Sequence, residues 1–127
     1  MEFKDKVTVL NRFFAAIPAG DLETVKAIYH PDAAIWHNDD NKVQTVAENL
    51  PVLRWVARNI EGLVYDEIRR NAMDSGQVVQ RHVLRGKAPN GRTLALRGAI
   101  VFTFDDDGRI TRLEEYLDSV QVAVLRA

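Results

Sequence analysis

The sequence predicts an α+β domain, with helices gathered on one side of a strongly curved, mostly antiparallel sheet. Three observations predict it. Before residue 61, the apolar residues of three stretches recur three or four apart, the spacing of one buried helical face. After Gly62, four stretches rich in β-branched and aromatic residues alternate at period two, separated by clusters of Asp, Asn, Gly and Pro. Strand follows strand in that half, so the sheet is expected to grow by hairpins rather than by parallel crossover units.

The first helix is expected over residues 3–17, where Phe3, Val7, Leu10, Phe13, Phe14 and Ile17 form the apolar stripe and Pro18-Ala19-Gly20 ends it. Asp21 is placed to cap a second helix whose buried side is Leu22, Val25 and Ile28. Pro31 disfavours helical geometry in the residue before it, so that helix should stop near His30. Residues 33–37 read as a short strand, closed by the polar run Asn38-Asp39-Asp40-Asn41. Thr45 and Glu48 have the capping-box spacing at the head of a third helix, which either kinks at Pro51 or begins its regular part there. Leu53, Trp55, Val56 and Ile60 supply its apolar side.

The four strands are expected over 63–73, 78–86, 93–104 and 109–118. Asp74-Ser75-Gly76, Pro89-Asn90-Gly91 and Asp105-Asp106-Asp107-Gly108 mark the turns between them. Side chains alternate along a strand, so Glu114, Tyr116 and Asp118 share one face of the last strand while Leu113, Glu115 and Leu117 share the other.

A chain of 127 residues with no linker-like break is expected to be a single domain, 1–127. Lys and Arg number 17 against 18 Asp and Glu, which leaves no basic field to hold nucleic acid or an anionic membrane. There is no Cys, hence no disulfide or thiol chemistry, and a cytoplasmic location is expected. No stretch approaches the ~20 apolar residues of a membrane span. The three His residues lack helical i, i+4 spacing, the Asp105–Asp107 run lacks the calcium-loop pattern, and no glycine-rich phosphate loop is present, so neither metal nor cofactor is expected. The space between three helices and a bent sheet suits a small apolar ligand. Apolar residues on both faces of strands 63–73, 78–86 and 93–104 point to a homodimer formed through the sheet.

Ala19-Gly20-Asp21-Leu22, Ile28-Tyr29-His30-Pro31-Asp32-Ala33, Asp107-Gly108-Arg109-Ile110 and Glu115-Tyr116-Leu117-Asp118 together resemble the nuclear-transport-factor-2-like superfamily, and its SnoaL-like members in particular. The resemblance implies a cone-shaped fold enclosing a pocket across nearly the whole chain. The superfamily holds isomerases, polyketide cyclases, epoxide hydrolases and non-catalytic binding domains, so fold alone does not select the chemistry. Matched to a ketosteroid-isomerase-like site, the chain offers Phe13, His37 and Ile100. Matched to a limonene-epoxide-hydrolase-like site, it offers Trp36, Asn38, Arg81, Val83 and Asp118, without the second acid. A cyclase-like site asks for one buried Asp aided by a His, which Asp118 with His37 or His82 could supply.

The resemblance thus implies a cofactor-independent enzyme acting by acid/base chemistry on a small apolar carbonyl, polyketide or terpenoid-like compound. Asp118 is the expected base, Arg81 its cationic neighbour, and Asn38 and His37 the groups that orient water or substrate. Phe13, Trp36, Trp55 and Tyr116 are the expected ligand-lining aromatics. The alternatives are a non-catalytic ligand-binding or interaction domain, or an epoxide hydrolase with an altered acid.

Overall fold

The computed structural model describes residues 1–125. Helix α1 (Phe3–Ala16) and helix α2 (Leu22–Ile28) are followed by strands β1 (Tyr29–His37) and β2 (Lys42–Gln44), helix α3 (Val46–Asn59), and four longer strands. These are β3 (Glu61–Ala72), β4 (Val78–Lys87), β5 (Thr93–Phe104) and β6 (Ile110–Leu117). A short helix α4 (Ser119–Val122) runs into a 3₁₀ turn (Ala123–Leu125). The order across the open six-stranded sheet is β2-β1-β6-β5-β4-β3. All neighbours are antiparallel except β1 and β6, which pair in parallel.

The expected α+β architecture is present, with three departures from the reading of the sequence. The first strand begins at Tyr29 rather than at residue 33 and runs through Pro31. Pro31 donates no ladder hydrogen bond, and the β1–β6 register shifts between Tyr29 and Ala34, the kind of irregularity at which proline is tolerated in a sheet. Strand β2, only three residues long, gave too little pattern to read. Helix α4 has four residues, capped when the Asp118 side chain accepts from the Val120 N–H.

Elsewhere the local signals act as their chemistry requires. Thr45 Oγ1 accepts from the Glu48 N–H and the Glu48 carboxylate accepts from the Thr45 N–H, so α3 starts at its capping box and carries Pro51 inside. The Asp21 carboxylate accepts from the Thr24 N–H at the head of α2. Gly108 takes φ 82° in the β5–β6 turn, a conformation a side chain would strain.

The core lies between the helices and the concave face of the sheet. Leu10, Phe13, Phe14 and Ile17 of the first helical segment pack on Tyr29, Ile35, Ile100, Phe102, Ile110 and Leu113. Phe13 meets Tyr29 and Phe102 edge-on at ring separations of 5.4 and 6.1 Å, and Phe14 meets Tyr65 at 4.8 Å. Burying each such ring contributes about 1.5–3 kcal/mol by transfer from water. This aromatic cluster fills the narrow end of the cone; the wide end stays open.

Candidate functional site

A cavity of about 420 Å³ occupies that wide end. Its apolar wall comes from Val52, Leu53, Trp55 and Val56 of α3, Leu84 of β4, Leu96 of β5, and Val122 and Leu125 of the C-terminal segment. Its polar groups are His37, Asp39, Asp40, Gln44, Asn49, Tyr65, His82 and Glu115. A second, much smaller space reaches inward from the same side chains to Phe13, Tyr29, Ile35 and Ile100.

Alternation along the strands decides which side chains enter. On β6, Leu113, Glu115 and Leu117 face the concave side, while Glu114 and Tyr116 face outward. On β1, Ile35 and His37 face inward, and Trp36 turns out to stack edge-on with Tyr116 at 5.2 Å. On β4, His82 faces in and Arg81 out. His37 and Glu115 are register partners in the β1–β6 pair, so both reach the cavity at the same level.

His37 Nε2 donates to Glu115 Oε1 at 3.0 Å, and each side chain keeps only 19% of its surface exposed. Burial works against a charged His37, but the hydrogen bond and charge of Glu115, reinforced by Asp39 and Asp40, outweigh it and raise its pKa above the ordinary histidine value. His37 is therefore biased toward the imidazolium. The charge of Glu115 reaches the other cavity groups as well. Burial first, then Glu115, pushes the pKa of Tyr65 up, and burial, Glu115 and Tyr65 do the same for Tyr29. Both phenols remain protonated hydrogen-bond donors. Tyr29 Oη donates to Asn49 Oδ1 at 3.3 Å, and Asn49 Nδ2 donates to Gln44 Oε1 at 3.1 Å, a chain that fixes buried Asn49 in the wall.

His82 is buried among rings, edge-on to Tyr65 at 5.1 Å and tilted to Phe14 at 5.7 Å. Burial lowers its pKa, Glu115 opposes that, and Arg70 adds to it, with a net shift downward. The two cavity histidines are thus driven in opposite directions. No group of three or more His, Cys, Asp or Glu placed to hold a metal occurs among the described residues.

The residues singled out in the sequence are divided by this geometry. His37 and Trp55 line the cavity, and Phe13 lies at its inner end. Asp118 is exposed at the end of β6, where its carboxylate caps α4. Arg81 is exposed in a shallow depression on the convex face with Arg69, Arg97 and Tyr116, so the expected contact between Arg81 and Asp118 is not formed. The reason is parity: Arg81 sits one residue before the inward-facing His82, and Asp118 lies past the last paired residue of β6. Asn38 accepts from the Leu117 N–H at 2.7 Å and donates to the Leu117 carbonyl at 3.2 Å, clamping β1 to β6 at the mouth. Trp36 and Tyr116 lie on the convex face. The sequence reading passed over Glu115 and Asn49 as site residues. The signal for Glu115 was available, since it shares a face with Leu113 and Leu117, the apolar side of that strand.

Comparison with known proteins agrees with this architecture. A family model described as a SnoaL-like domain matches residues 10–113. A candidate polyketide cyclase from Xanthomonas campestris pv. campestris superposes with a TM-score of 0.81 at 21% identity, covering 98% of each chain. A candidate isomerase from Bacillus subtilis gives 0.83 at 18% identity, over 97% of this chain and 94% of that one. A steroid delta-isomerase from Pseudomonas aeruginosa gives 0.73 at 25% identity, over 99% and 88%. A search of curated protein sequences found no match. With the matched model spanning most of the sequence and the cone-shaped sheet in place, the chain belongs to the SnoaL-like domain family.

Proposed function

We propose that the protein is a cofactor-independent acid/base enzyme that isomerises or cyclises a small, neutral, mostly apolar carbonyl compound of polyketide or terpenoid type. The observation that carries this reading is the Glu115–His37 pair, half-buried at the wall of an apolar cavity. A carboxylate hydrogen-bonded to an imidazolium, away from bulk water, can take a proton from carbon next to a carbonyl, and the same pair can return it elsewhere. The role of base that the family resemblance assigned to Asp118 passes to Glu115 in this reading. The structural relatives named as a polyketide cyclase and as isomerases support the reaction class.

The lining also argues for the substrate's charge. Among the described residues it carries the carboxylates Asp39, Asp40 and Glu115 and no Lys or Arg, so an anionic ligand would meet a field set by acids rather than bases. Ketones, β-dicarbonyls and esters fit that field better than free acids.

The test is turnover of enolisable ketones, β-dicarbonyls and small apolar epoxides by the wild type and by Glu115→Gln. A positioned base contributes about 10²–10⁴-fold, and the variant should lose that much while ligand affinity and thermal stability stay close to wild type. Full activity in Glu115→Gln would remove Glu115 as the base. Compounds that bind without any being turned over would replace the enzyme with a ligand-binding domain.

A further inference from the structure

A line of side chains outside the cavity ends on His82. Arg70 Nη1 donates to Asn11 Oδ1, and Arg70 Nε donates to Gln80 Oε1 at 2.8 Å. Gln80, fully buried on β4, then places its Nε2 2.8 Å from His82 Nδ1. The protons along this line follow from which groups can only donate. A guanidinium has no acceptor, so Gln80 must turn its oxygen toward Arg70. That leaves the amide NH₂ facing the ring, and an NH₂ group donates too. Nδ1 of His82 must then be the bare nitrogen, and the proton of the neutral ring must sit on Nε2.

We infer that the Arg70–Gln80 line holds His82 as the neutral Nε2–H tautomer, and that this N–H is the donor to the substrate oxygen on which negative charge builds. Nε2 has no hydrogen-bond partner among the described residues. It lies beside Gly98, its register partner on β5, 3.6 Å from where a Cβ there would stand. The same Cβ would stand 3.1 Å from Leu117 Cδ2 and 3.4 Å from the Tyr116 carbonyl oxygen, so only glycine lets the ring, which lines the cavity, sit this close to β5. Of the groups facing the ring, Arg70 of β3 opposes a second positive charge and Tyr65 of β3 stays a phenol, while Glu115 of β6, paired with His37 of β1, favours the charged ring but is outweighed by burial and Arg70. Arg70 is itself held over the Phe14 ring at 6.0 Å, and Phe14 packs on His82, so the line and the ring are braced by one aromatic.

This rests on the acid/base reading of the cavity and assigns the second half of its chemistry. Glu115 takes the proton from the carbon next to the carbonyl, the C–H electron pair becomes the new carbon–carbon double bond, and the carbonyl oxygen gains the charge. His82 Nε2–H hydrogen-bonds to that oxygen and keeps its proton; protonation of carbon from Glu115 closes the cycle. A neutral donor suits that task, because it stabilises the enolate without quenching it as a stronger acid would. Gln80 and Arg70 are positioning residues.

The experiment is long-range ¹H–¹⁵N NMR on histidine-labelled, ligand-free protein, with the His82 signals identified by their loss in His82→Asn. The expected wild-type pattern is a bare Nδ1 and a protonated Nε2. In Gln80→Glu, a carboxylate that accepts should draw the proton to Nδ1, and kcat should fall about 10²-fold with little change in KM, the cost of one lost oxyanion donor. A wild-type His82 with its proton on Nδ1 would overturn the inference, whatever the activity and whether or not the variant folds. Full turnover by Glu115→Gln alongside an Nε2–H His82 would instead remove the base assignment and leave the tautomer standing.

Discussion

His37 Nε2 lies 3.0 Å from Glu115 Oε1, at matched positions of the parallel β1–β6 pair. The first strand and the last therefore meet at the cavity wall, and neither half of the chain can assemble this pair alone. In His37→Gln, the carboxylate keeps a neutral hydrogen-bond partner and loses its cationic one. Turnover should drop by less than in Glu115→Gln, because the base is still present. Steady-state kinetics on both variants, with matched thermal melts, checks the order; a larger loss in His37→Gln would give the imidazole the leading role.

The two cavity histidines predict a stability maximum in pH. His37 has a raised folded pKa, so its contribution is fully present below the ordinary histidine value near 6.5 and is lost as pH rises through the folded value. His82 has a lowered one, so its unfolded form takes up the proton first, and stability falls as pH drops from about 6.5 through the folded value. The melting temperature should peak close to pH 6.5. Replacing His37 should flatten the alkaline limb alone, and replacing His82 the adjoining part of the acid limb alone.

Asp118→Ala should separate a cap from a catalyst. The carboxylate accepts from the Val120 N–H at 3.0 Å and is exposed, so its loss should cost about 1 kcal/mol, as for other helix caps. Turnover per folded molecule should be unchanged. A loss of several hundredfold in kcat would return the base to Asp118.

Gly86→Ala tests the close packing of β4 on the start of β3. A Cβ at this position would stand 2.5 Å from Ile60 Cγ2 and 3.0 Å from the Glu61 carbonyl oxygen. Backbone must shift to make room, and denaturant unfolding should show a loss of about 1–3 kcal/mol, the usual cost of overpacking.

The convex face of the sheet predicts self-association. Arg69 and Arg81 are register partners, Arg97 lies beside them on β5, and none of the three makes an ion pair among the described residues. Trp36 and Tyr116 stack on the same face. We propose that this face meets a second copy of the chain. Sedimentation should give a dimer at micromolar concentration, weakened by Arg81→Glu; a monomer would exclude it.

Most of the fold was legible because it is written locally. The spacing of Leu10, Phe13, Phe14 and Ile17, the Thr45–Glu48 box and the Asp-rich turn before Gly108 each specify their element without help from distant residues. Strand β2 and helix α4 were not legible, being three and four residues long and held by pairing to β1 and by one cap. The site was legible in part. His37 and Phe13 came from family pattern and Trp55 from its aromatic character, but choosing the carboxylate required knowing which face of β6 is concave. A motif match favoured Asp118, whereas the apolar company of Glu115 already marked the inward face. The tautomer of His82 depends on Arg70 and Asn11, 12 and 71 positions away in the numbering, and no local pattern announces such a line.

The cavity wall formed by Val122 and Leu125 belongs to a segment moored from outside: Gln121 Oε1 accepts from the Arg97 N–H, and Asn90 Nδ2 donates to the Val124 carbonyl. The acid/base pair and its supporting line sit on the sheet, whereas this wall hangs from a short appendage of it. Changes of side-chain size at positions 122 and 125 would resize the chamber while leaving the proton-transfer apparatus untouched. Substrate range and reactivity are then inherited through separate parts of the chain, so a lineage can exchange the one and keep the other.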